Sequence, residues 1–140
     1  MKTLDSLLDP CDDATFHDSE LLSCGFDFAR KTAVFKFDIQ CLTTAAEEHC
    51  SSRRGTLAFS GLCFYWIEPA LCCTRKNGDS SLWITAEGPL PDERLKMSAQ
   101  VPTDLPADVF VHYLYSSSTN SFIIIGAKCV VFNWDTPTTE

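Results

Sequence analysis

Between Leu21 and Cys41 the chain switches between apolar and polar residues with a period of two, twice over. Leu22, Cys24, Phe26 and Phe28 alternate with Ser23, Gly25 and Asp27. After the polar corner Arg30-Lys31, residues Ala33, Phe35, Phe37, Ile39 and Cys41 alternate with Lys36, Asp38 and Gln40. Successive side chains of a strand point to opposite faces, so this pattern predicts two half-buried antiparallel strands joined as a hairpin. A sheet is expected to grow outward from it. The preceding Phe16-His17-Asp18-Ser19-Glu20 launches the hairpin, with Asp18 or Ser19 expected to cap the turn by accepting a backbone N–H and His17 packed beside it.

The remaining chain reads as further strands with short connections. Residues 3–8 predict one helical turn, stopped by Pro10, and the segment through Glu20 is the most acidic in the protein. Residues 43–55 lack alternation and read as a loop. Residues 56–67 resume strand character, with a change of phase at Gly61 that predicts a bulge or bend. A short strand is expected over 82–86, after which Gly88-Pro89-Leu90-Pro91 is expected to forbid regular pairing. Residues 94–101 alternate and predict a half-buried strand, with a short helix across 92–97 as the alternative; 109–115, rich in aromatic and β-branched residues, predict another strand; Ser116 to Asn120 form a polar turn. The apolar run 122–132, split at Gly126-Ala127, predicts a covered central strand that is either bent or divided in two. The expected fold is mainly β: an antiparallel sandwich or a strongly curved, partly closed sheet of six to eight strands with little helix. One domain is expected across residues 1–140, with 1–15 as an acidic lead-in and 136–140 as a frayed tail.

Charge narrows the function classes. A net charge of −8 opposes nucleic-acid and anionic-membrane surfaces, both of which need clustered Lys and Arg. It suits a basic partner, whose approach an acidic surface steers. Asp5 and Asp9 interrupt any apolar core near the N-terminus, so no secretory signal is read there, and the expected location is cytoplasmic. The eight cysteines are then expected as free thiols, several serving as small apolar fillers in strands.

Tests for chemistry return little. His49 adjoins Cys50, but neighbours on a strand point in opposite directions and no orienting group accompanies them. His112 sits mid-strand, where a hydrogen-bonded sheet histidine is the ordinary role. The cysteines have no Cys-x-x-Cys spacing, and phosphate loops, nucleophile elbows and His-Glu-x-x-His are absent from the sequence. The acidic pairs Asp12-Asp13, Glu47-Glu48 and Asp92-Glu93 fall in predicted loops, where carboxylates are solvated. No catalysis, cofactor or metal is expected.

The string Phe16-His17-Asp18-Ser19-Glu20-Leu21-Leu22-Ser23, with its alternating hairpin and the later Gly55-Thr56-Leu57-Ala58-Phe59, resembles small β-rich immunity proteins of bacterial polymorphic toxin systems. The resemblance covers about a third of the chain. It implies a cytosolic protein that blocks one toxin by binding it, without catalysis. The expected partner is a basic effector domain, with a nuclease foremost, and the candidate contact residues are Asp12, Asp13, Asp18, Glu20, Glu47 and Glu48. An alternative expectation is a small-ligand-binding or housekeeping β module using a concave face lined by Trp66, Trp83 and Tyr113; a weak enzyme is a third.

Overall fold

The computed structural model describes residues 3–10, 13–41, 51–68, 82–90, 101–102, 104–117 and 119–135. Nine strands run through them: β1 (Ser19–Asp27), β2 (Thr32–Cys41), β3 (Ser51–Ser60), β4 (Phe64–Glu68), β5 (Leu82–Ile84), β6 (Ala86–Pro89), β7 (Phe110–Ser116), β8 (Ser121–Ala127) and β9 (Cys129–Trp134). They form two antiparallel sheets, ordered β5-β1-β2-β3-β9 and β4-β8-β7-β6. This is the expected sandwich. A 3-10 turn at Leu4–Leu7 is the helical element described, and among the described residues no helix is long and apolar enough to cross a membrane.

The β1–β2 hairpin forms where the alternation places it. Ala33, Phe35, Phe37 and Ile39 are buried on one face, and the β3 partners of the first three, Phe59, Leu57 and Gly55, are buried with them. The ends of the β1 stripe do not. A bulge between Leu21 and Ser23 resets the register, so Leu21 turns inward and Leu22 outward. Phe28 falls beyond the strand, in the turn closed by Lys31 at φ 54, and is 67% exposed.

Strand boundaries differ from expectation in three further places. Residues 51–55 are not loop: they extend β3 and pair in register with Phe37 to Cys41, because the ladder set farther along continues to that end. Pro89 does not forbid pairing. It sits at the last position of an edge strand, opposite His112, where a missing donor costs no ladder bond. The 56–67 stretch divides at Gly61 (φ 63) into β3 and β4, which lie in different sheets. These splits, and the unforeseen β6, account for nine strands rather than six to eight. The strand expected over 94–101 lies mostly outside the described residues.

The chain also changes sheets between β4 and β5, between β5 and β6, and between β8 and β9. Thr85 alone separates β5 from β6, and its N–H donates to the Tyr115 carbonyl at 2.9 Å. Lys128 separates β8 from β9, donating its N–H to the Ser60 carbonyl at 3.1 Å. Thus the 122–132 run is two strands: β8 in the interior of the smaller sheet, and β9 on the edge of the larger.

Between the sheets lies an aromatic core. Phe16 is edge-on to Phe37 and Phe132, and Phe35 to Phe26 and Phe59. On the other side of the smaller sheet, the Phe64 ring crosses Gly126, where an added Cβ would stand 2.3 Å from a ring carbon. Gly126→Ala is therefore expected to cost about 1–3 kcal/mol by overpacking, read as a lower thermal midpoint.

The thiols of Cys24, Cys63 and Cys129 are free. Burial pushes the Cys24 thiol from 9.0 up to about 12. Above about pH 9 the unfolded chain therefore releases a proton that the folded chain keeps. The stability due to the neutral thiol is complete below that pH and falls as pH rises toward about 12. The thermal midpoint is expected to drop more steeply with alkaline pH in the wild type than in Cys24→Ala. In native alkylation at neutral pH, exposed Cys63 and Cys129 should react and Cys24 should not.

Candidate functional site

The larger sheet turns one face to the core, and among the described residues no element covers the other. On that open face the register sets Trp83 beside Glu20, Glu20 beside Asp38, and Asp38 beside Arg54, one residue from each of four neighbouring strands. Trp83 is outward because Leu82 and Ile84, its neighbours on β5, are buried; its ring is 37% exposed. The next row holds Ser23, Lys36, Thr56 and Asn133. Here Asp135 accepts the Thr56 hydroxyl at 2.6 Å and pairs with Lys36 at 3.6 Å. A third row, Gly25, Val34, Ala58 and Val131, is apolar, and bulged Leu22 adds a further exposed aliphatic side chain. The face thus combines carboxylates, one large aromatic and scattered aliphatics, the composition of a recognition surface with a polar rim.

Of the residues expected to make partner contacts, Glu20 lies in this face. Asp13 and Asp18 are exposed and sit at the end of the same sheet where β1 begins. Asp13 precedes Ala14, which bridges Cys41 at the end of β2, and the Asp18 N–H donates to the Ile84 carbonyl at 2.7 Å. Asp18 also pairs with the exposed His17, Nδ1 to Oδ2, at 3.1 Å. Such an exposed pair contributes little stability. Asp12, Glu47 and Glu48 lie outside the described residues. Asp38, Trp83 and Arg54 complete the row beside Glu20. Asp38 was visible as a polar slot in the β2 alternation, but its proximity to Glu20 depends on the register.

The turn before β1 is capped differently from expectation. The Ser19 hydroxyl donates to the Phe16 carbonyl at 2.6 Å instead of accepting an N–H. The acceptors are Thr15 Oγ1, for the His17 N–H, and Asp5 Oδ1, for the Phe16 N–H at 2.8 Å. Asp5 Oδ2 also accepts the Thr15 hydroxyl, so part of the acidic lead-in is tied to the body. His17 is exposed, not packed.

His112 is the hydrogen-bonded sheet histidine expected. Its Nε2 lies 3.0 Å from Glu87 Oε2, both side chains being almost wholly buried. Both Glu87 oxygens accept the Leu4 N–H, at 2.9 and 2.8 Å, so the carboxylate caps the 3-10 turn from 83 residues away. The pair holds structure together. Among the described residues no three His, Cys, Asp or Glu side chains gather as a metal site would require. The aromatics proposed for a ligand cleft do not converge: Trp66 and Tyr113 both flank Ile124 on the smaller sheet, whereas Trp83 belongs to the larger one.

Fold and surface together define an antiparallel β-sandwich with a sheet face that bears Trp83, carboxylates and two basic side chains, Arg54 and Lys36. No protein-family model, curated protein or solved structure matches this chain.

Proposed function

We propose that the chain is a non-catalytic immunity protein that binds and neutralises a cognate basic toxin, with a nuclease as the leading candidate. The observation that carries this reading is the stretch Trp83-Glu20-Asp38, bounded by Arg54, on the open face of the larger sheet. Its carboxylates attract a basic surface, and the indole supplies the buried anchor that an interface core needs. By covering the surface a nuclease uses for phosphates, the row competes with its polyanionic substrate. The resemblance of the 16–23 and 55–59 strings to immunity proteins favours the same reading.

The test is co-expression with the product of the adjacent upstream gene. Survival of cells carrying both, and death of cells carrying that product alone, is expected. Trp83→Ala should weaken the complex about 30-fold, the size of an aromatic anchor of roughly 2 kcal/mol. Death in both cases, with no complex at low salt, would sink the proposal.

A further inference from the structure

We propose that the opposite end of the sandwich is a binding site for a small, flat, aromatic anion. It stands independently of the reading above: Phe28 follows the end of β1, roughly 25 Å along the strand from Glu20.

Three rings lie nearly parallel at this end. Tyr65 stacks on Phe26 at 4.0 Å and on Phe28 at 6.0 Å, with interplanar angles of 19° and 16°. Phe26 packs against the core, but Phe28 is left two-thirds in water. Burying a phenylalanine stabilises a fold by about 2 kcal/mol; this ring is held instead by stacking on Tyr65 and Phe26, with most of its surface in water. Beside it opens a cavity of about 360 Å³ lined by Phe28, Lys31, Leu62, Cys63, Phe64 and Tyr65. That volume lies at the lower end of small-molecule sites and accommodates a two-ring system.

Chemistry follows from the walls. The aromatic rings offer π-faces against which a planar ligand stacks in offset or edge-on geometry. Among the described residues Lys31 is the formally charged one in the wall, and no ion pair between described residues uses it. Its backbone is held in place, the carbonyl accepting the Leu62 N–H at 2.9 Å. On a chain of net charge −8, an anion is attracted only where a cation is supplied locally, and Lys31 supplies it. The same lysine repels cationic aromatics.

The experiment titrates the protein with 2-naphthalenesulfonate and, separately, with the neutral 2-naphthalenemethanol, following backbone amide shifts. Shifts confined to residues 28–31 and 62–65 are expected for the sulfonate at about 1 mM. Phe28→Ala should weaken both ligands, and because the ring is mostly exposed, the remaining amide spectrum should stay unchanged. Lys31→Gln should weaken the sulfonate about fivefold and leave the alcohol unaffected. Absent or scattered shifts overturn the site. Equal binding of the two ligands, or an equal loss of both in Lys31→Gln, overturns its preference for an anion.

Discussion

Glu87→Ala is expected to cost about 3 kcal/mol of folding stability, a large share of the roughly 5–15 kcal/mol available to a domain of this kind. The carboxylate has two partners, the Leu4 N–H and the His112 ring, and both remain buried when it is removed. A buried donor without an acceptor costs about 1–3 kcal/mol, so two such losses reach the expected size. Urea denaturation should show a lower midpoint with an unchanged slope. Hydrogen exchange adds a local readout: the amides of Leu4–Leu7 should lose protection first, because Glu87 fastens that turn to the edge of the smaller sheet. Glu87→Gln, which keeps one oxygen acceptor, should lose markedly less. An unchanged midpoint in Glu87→Ala would mean that the pair contributes nothing to stability.

Phe16→Ala should cost still more, about 3–5 kcal/mol. Phe16 is wholly buried, with ring centroids 5.2 Å from Phe37 on β2 and 5.6 Å from Phe132 on β9, both edge-on. Its loss removes transfer energy, two aromatic contacts and the support for a cavity wall that two strands share. Its backbone N–H is held by Asp5, so the lead-in cannot slide to fill the gap without breaking that bond. Phe16→Leu, which retains most of the volume, should lose less than half as much. Similar midpoints for wild type and Phe16→Ala would contradict the packing described.

What the sequence disclosed, and what it did not, follows a physical line. Phe35, Phe37 and Ile39 were legible as inward residues because alternation is a property of the strand itself. Leu22 and Phe28 belonged to the same alternating pattern, yet a bulge turned one outward and the strand ended before the other. Those two departures placed apolar side chains on the open face and beside the cavity. Pro89 misled because its tolerance depends on being at an edge, which a local reading does not contain. The Glu87–His112–Leu4 cluster joins residues distant in sequence and left no local signal. The same holds for the row Trp83-Glu20-Asp38: each residue is visible alone, but only the pairing of β5, β1 and β2 sets them side by side. Asp18 and Glu20 were singled out for charge, and register separates them, one in a turn at the sheet's end and the other within the face.

The account stands on the open face of the larger sheet acting as an electrostatic and aromatic contact surface. It is tested most directly by titrating the purified product of the neighbouring gene with wild-type protein and with Glu20→Lys/Asp38→Lys, at low and moderate salt. The wild type should bind, more weakly as salt rises, and the double variant should associate far more slowly while keeping the wild-type thermal midpoint. Binding of the double variant at the wild-type rate, with the same salt dependence, would contradict it.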